Sequence, residues 1–246
     1  AFLEDGEVCK SIIGKNKDLF RIIPPTSRVE SVLGADKKMT VLVCHYSKDT
    51  SWTKRIEHDV VIYNKNPEES HLFEHNFPNV GFSEISYIGY ILDNYENLPD
   101  YVCFLQDDPF FHCMNVVQLV NEFDFSTEFV ALSSVFRLGT SEWDKTFDYA
   151  KKIGLHYEEP LNMIAACQSI VSRELILKTP KHVYENMIPT ISQGVGPGQA
   201  NYCIENLWPT ILNFNAQLTF PDGHSCCRGY GWAQPEWEFK DRYELA

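Results

Sequence analysis

The stretch Tyr101-Val-Cys-Phe-Leu-Gln-Asp-Asp-Pro109 decides how this chain is read. Its first residues form a short apolar run of the kind found in strands buried on both faces. Polarity then switches at Gln106 to two adjacent carboxylates and a proline. The segment therefore reads as a buried strand that delivers Asp107 and Asp108 to solvent at its C-terminal edge.

Just upstream, residues 84–95 place Ile85, Ile88, Ile91 and Leu92 at helical spacing, and Asn97-Leu-Pro-Asp100 stops the helix. Farther back, residues 59–63 and 39–44 are apolar and β-branched, and each gives way at once to polar residues, as buried strands ending at loops do. Downstream, residues 115–123 read as helix, 129–133 and 170–172 as extended, and 173–178 as a short helix. Gly194, Gly196, Pro197 and Gly198 make a loop. After it, residues 200–213 show Ile204, Leu207, Ile211 and Leu212 as an apolar helical stripe.

Strand, helix and strand in alternation predict an α/β domain with a mixed, mostly parallel sheet flanked by helices. We read residues 1–38 as an N-terminal arm and 39–246 as a single domain. Ligands in such sheets belong at the strand C-terminal ends, where this chain places His45-Tyr-Ser-Lys-Asp49, Tyr63-Asn-Lys-Asn66 and Gln106-Asp-Asp-Pro109.

The charge balance narrows the ligand. In 246 residues, 21 Lys and Arg face 34 Asp and Glu, for a net charge of −13. Such a field repels phosphate backbones, so nucleic acid is not expected as a partner, and a nucleotide has to be held by local features. No run of apolar residues is long enough for a membrane span. The 8 cysteines contain no CxxC pair, which disfavours structural zinc. The absence of an Asn-x-Ser/Thr sequon favours a cytoplasmic setting. Because the sequence starts at Ala1, a Golgi or secretory location stays open if an anchor has been removed.

Asp107 and Asp108 suit a hard cation, Mn²⁺ or Mg²⁺, which takes carboxylate oxygens and grips a diphosphate at the same time. The same dipeptide serves equally as a turn cap. His224 is the candidate third ligand, against an ordinary loop histidine. Arg228 is a candidate fork for phosphate oxygens, against a plain surface arginine. Glu205 is the candidate base for an acceptor hydroxyl and Trp208 a candidate sugar platform, against a solvated glutamate and a core tryptophan. Walker A, GxGxxG, GxSxG and HExxH motifs are absent.

Taken together, several segments resemble a family catalogued as a domain of unknown function and described as glycosyltransferase-like. They are Val43-Cys-His-Tyr-Ser-Lys-Asp-Thr-Ser-Trp52, Asp59-Val-Val-Ile-Tyr-Asn-Lys65, Asn79-Val-Gly81, Phe104-Leu-Gln106 with Asp108 and Pro109, Ser172-Arg-Glu174 and Glu205-Asn-Leu-Trp208. The resemblance implies the nucleotide-diphospho-sugar transferase (GT-A-like) sandwich. It places His45, Tyr46, Asn79 and Gly81 at the nucleotide and the Gln106-Asp-Asp-Pro109 turn at the diphosphate. Phe82 stands where the family often has Arg, and Asp107 where it often has Gly. The last two motifs also resemble those of branching N-acetylglucosaminyltransferases, which work without metal, so both mechanisms stay open.

The expectation is a glycosyltransferase, metal-assisted and inverting, that moves a sugar from a UDP- or GDP-sugar to a carbohydrate or glycoprotein acceptor. The alternatives are a glycoside hydrolase using the same carboxylates and a non-catalytic carbohydrate-binding module.

Overall fold

The computed structural model describes residues 37–133, 135–137, 144–157, 161–191 and 200–215. Its centre is a six-stranded sheet in the order β3-β2-β1-β4-β8-β5. β1 (Met39–His45) pairs in parallel with both β2 (Asp59–Asn64) and β4 (Tyr101–Gln106), and β3 (His75–Asn76) extends the parallel run beyond β2. β8 (Ser169–Ser172) runs antiparallel between β4 and β5 (Phe129–Ala131). The sheet is therefore mixed and mostly parallel, as expected.

β1 and β4 are largely apolar because both faces are covered. Leu42 and Cys44 of β1, with Val102 and Phe104 of β4, enter one core. Their neighbours Val41, Val43, Cys103 and Leu105 enter the other. This alternation is the period of two imposed by the pleat. Burial of each such side chain contributes about 1.5–3 kcal/mol, so the two layers dominate the stability of the sheet.

The first core is closed by α1 (Glu84–Asn94), α5 (Lys181–Ile191) and α6 (Ala200–Ile211), with α3 (Asp144–Ile153) packed on α5 and α6. The second core is closed by α2 (Val116–Asn121) and by Trp52. α4 (Arg173–Leu177) starts immediately after β8, where the Ser172 hydroxyl accepts from the Leu175 N–H. A separate two-stranded sheet pairs β6 (Val135–Arg137) with β7 (Asn162–Ile164), and β7 lies against α6.

The expected strands and helices at 39–44, 59–63, 84–95, 101–105, 115–123, 170–172 and 200–213 are present within a few residues of those limits. β3, α3, α5 and the β6–β7 pair are additional. Among the described residues no helix is long and apolar enough to cross a membrane.

Candidate active site

From β1 the chain moves outward through β2 and β3, then returns to the opposite side of β1 as β4. The switch point thus lies between β1 and β4, where open α/β sheets form their ligand crevice. Asp107 organises this end of the sheet. Its Oδ2 accepts the backbone N–H groups of Tyr46, Ser47 and Lys48 at 2.9, 3.0 and 2.9 Å, and Trp52 Nε1 donates to the Asp107 carbonyl at 3.0 Å. Burial pushes the Asp107 carboxyl up, but these amides and the nearby His45 outweigh it and hold the group below its ordinary value.

Asp107 therefore folds the loop after β1 over the end of β4, and spends one oxygen and three loop amides in doing so. His45 is buried behind it, with Nε2 at 2.7 Å from Glu69 Oε2 and Nδ1 at 3.4 Å from Asp107 Oδ2. Tyr46 stands exposed on the loop. Asp108 is half-buried and makes no capping bond to the turn Pro109–Phe111 that it precedes.

Two carboxyls meet beneath it, one on α1 and one on α6. Glu84, the first residue of α1, is 4 % exposed, and its Oε2 has no hydrogen-bond partner among the described residues. Cys167 Sγ lies 3.8 Å from its Oε1. Desolvation, reinforced by the charge of Glu205, pushes Glu84 up to about 8. Glu205, on α6, is half-buried, and its Oε1 accepts the Ala166 N–H at 2.6 Å. Burial raises Glu205 as well, opposed by that hydrogen bond.

Ala166 and Cys167 are both left-handed, at φ 56° and 58°, a conformation that costs a non-glycine residue about 1–3 kcal/mol. The turn is held between the two glutamates. Buried Lys65, at the end of β2, faces Glu84 and donates its Nζ to the carbonyls of Val80 and Phe82. This anchors the Asn79-Val-Gly81 turn. Gly81 is required there: its φ is +63°, and a Cβ would come within 1.8 Å of Ile191 Cγ2. Asn79 is exposed on the same turn.

The rim is aromatic. Phe82 and Tyr202 are both exposed and meet edge to face with ring centroids 6.3 Å apart. Tyr202 and Glu205, three residues apart on α6, share one helix face. Trp208, expected to offer its face to a sugar, is 0 % exposed. It packs against Tyr87 and Phe104 and donates Nε1 to Ser169 Oγ at 3.1 Å. It belongs to the core because it falls in phase with the Ile204, Leu207 and Ile211 stripe.

His224 and Arg228 lie outside the described residues. Among the described residues no three His, Cys, Asp or Glu side chains form a metal-holding group. The donor set still fits a cation gripped mainly by substrate phosphates, since Mg²⁺ commonly takes only one or two carboxylates. Asp108 would supply that carboxylate. The structure thus brings together His45, Tyr46, Asp107 and Asp108 at the ends of β1 and β4, and Glu205 with Glu84, Cys167, Lys65, Phe82 and Tyr202, residues to which the sequence reading had given no role at the site.

No curated protein matches the chain. Residues 41–123, from β1 through α2, match the model of a family described as "Protein of unknown function (DUF3431)".

Proposed function

We propose that the chain is a glycosyltransferase that moves a sugar from a nucleoside diphosphate sugar to a carbohydrate or glycoprotein acceptor with inversion. We further propose that its sheet is that of the nucleotide-diphospho-sugar transferases. The observation that carries this reading is Glu205: a half-buried carboxylate, oriented by the Ala166 N–H at 2.6 Å and placed beside exposed aromatic rings.

Burial raises Glu205 above an ordinary glutamate, which suits a base that must be ionised near neutrality yet accept a proton. In the proposed reaction an acceptor hydroxyl attacks the anomeric carbon while its proton passes to Glu205. The bond to the nucleoside diphosphate breaks on the opposite side. Phe82 and Tyr202 offer apolar ring faces for the acceptor sugar, the role first expected of Trp208. The donor's phosphates lie toward Asp108, where Mn²⁺ or Mg²⁺ would neutralise the charge that builds on the leaving diphosphate. Asp107 acts by shaping the loop that carries Tyr46 beyond His45.

The exposed aromatic pair also favours a second reading, a carbohydrate-binding module without turnover. The two separate in a single assay of nucleoside diphosphate release from a panel of UDP- and GDP-sugars, with Mn²⁺ and saccharide acceptors present. The transferase reading expects acceptor-dependent release that falls about 100-fold or more in Glu205→Gln, the usual weight of a general base. Release unchanged in that variant removes Glu205 as the base. Saccharide binding with no release from any donor favours the binding module.

A further inference from the structure

We infer that Glu84 is a positioning residue for Glu205: it stays a neutral carboxylic acid inside the fold and, through the Ala166–Cys167 turn, holds Glu205 as the single anion of the pair. The inference rests on the proposed role of Glu205 as base, but its structural half can be tested without turnover.

The geometry is a four-part clamp. Glu84 Oε1 is met by Cys167 Sγ at 3.8 Å, and the adjoining Ala166 N–H is bound by Glu205 Oε1 at 2.6 Å. Both turn residues are left-handed, and the two carboxyls brace the turn together with the Ser133 hydroxyl on the Ala165 carbonyl and the Ser169 hydroxyl on that of Cys167. Glu84 is 4 % exposed and its Oε2 has no acceptor-side partner among the described residues, so an ionised Glu84 would strand a charge that water cannot reach.

Burial and the charge of Glu205 favour the neutral form of Glu84. Glu205 faces it from α6, Cys44 from β1 and Tyr87 from its own helix stand by as groups that burial keeps protonated, and the Cys167 thiol, from the turn before β8, donates to Glu84 and favours its anion. Among the described residues the cation that favours the anion is Lys65, just after β2. It is itself disfavoured as a cation by burial, and its Nζ is committed to two carbonyls. A buried carboxyl beside a half-buried one retains a proton between the two of them, because both cannot ionise at low cost. The more buried of the two, Glu84, keeps it.

The test is infrared titration of the protonated carboxyl band in the wild type, Glu84→Gln and Glu205→Gln, alongside the pH profile of transfer. The expected result is a buried carboxylic-acid band that persists to about pH 8, is absent in Glu84→Gln, and is lost at lower pH in Glu205→Gln because the neighbouring charge is gone. Glu84→Gln, a neutral mimic of the same shape, should keep turnover within about threefold and lack the alkaline decline in kcat/KM that ionisation of Glu84 would give the wild type.

A band unaffected by Glu84→Gln overturns the neutral-acid assignment. A band that titrates identically in Glu205→Gln overturns the coupling. Loss of turnover in a folded Glu84→Gln variant overturns the positioning role in favour of a direct acid. If no donor turns over, the two band measurements still decide whether Glu84 is neutral and coupled, while the transferase reading fails on its own assay.

Discussion

Replacing Glu84 by glutamine should stabilise the protein, and by an amount that depends on pH. Burial lifts the Glu84 carboxyl from an ordinary value of 4.5 to about 8. Between those limits the folded state holds a proton that the unfolded chain has released, so the contribution of Glu84 to stability is most favourable below pH 4.5 and falls as pH rises toward 8. Each pH unit across that window costs about 1.4 kcal/mol, so by pH 7 the loss attributable to Glu84 is about 3 kcal/mol. Glutamine does not titrate. The Glu84→Gln variant should therefore gain about 3 kcal/mol on the wild type between pH 4.5 and pH 7. For a chain of this size that corresponds to about 6–12 °C in Tm.

The assay is thermal or urea unfolding of both proteins at half-unit intervals from pH 4.5 to 8.5, with the difference between them plotted against pH. A rising difference that levels near pH 8 fits a buried carboxyl that ionises late. A difference that is flat across the range refutes the reasoning, because it means that Glu84 has the same proton affinity in the folded and unfolded states.

Three further outcomes follow from the same geometry. Asp107→Ala removes the acceptor of three backbone N–H groups and should cost about 2 kcal/mol at neutral pH. Because Asp107 is held below its ordinary value, that stabilisation is present above about pH 4 and lost as pH falls through the folded value. Urea unfolding of the variant and wild type at pH 7 and pH 3 should therefore show a gap that narrows in acid. Trp208→Ala opens a fully buried site and should lower stability by about 3–5 kcal/mol, whereas Tyr202→Ala, on the rim, should change it by less than about 0.5 kcal/mol while raising the acceptor KM. Gly81→Ala should be destabilised in thermal unfolding, because the new Cβ meets Ile191 and the turn needs a left-handed residue.

The parallel core of the fold was legible because it is buried on both faces. The runs around Val41, Val60 and Val102 are apolar without interruption, and each ends in polar residues where the chain leaves the sheet. β3 was not legible, since its two residues, His75 and Asn76, are polar and exposed. α5 carries Pro189 within its span, and the core residues of α3 are spread among lysines and aspartates, so neither announces itself by composition.

The site divides along similar lines. Two carboxylates at the end of β4 could be read directly, but not that Asp107 would bind loop amides some 60 residues away, because backbone donors leave no mark in a sequence. Trp208 lay within the apolar stripe of its own helix, and that periodicity already favoured the core. Glu84 carried a signal of the same kind: it lies in phase with Ile88 and Ile91 on a face that is otherwise apolar. A charged residue at a core-facing position is the sequence mark of a group whose charge state the fold controls.

The central claim, a nucleotide sugar held in the crevice between β1 and β4, is tested most directly by thermal shift with UDP, GDP and their sugars, with and without Mn²⁺, on the wild type and Asp108→Ala. A ligand that binds only the folded protein raises its apparent stability by about 2.7 kcal/mol at 100 times its Kd. The account predicts a Tm rise with one nucleotide series, strengthened by Mn²⁺ and reduced in Asp108→Ala. No rise with any nucleotide or nucleotide sugar, with or without the cation, would contradict it.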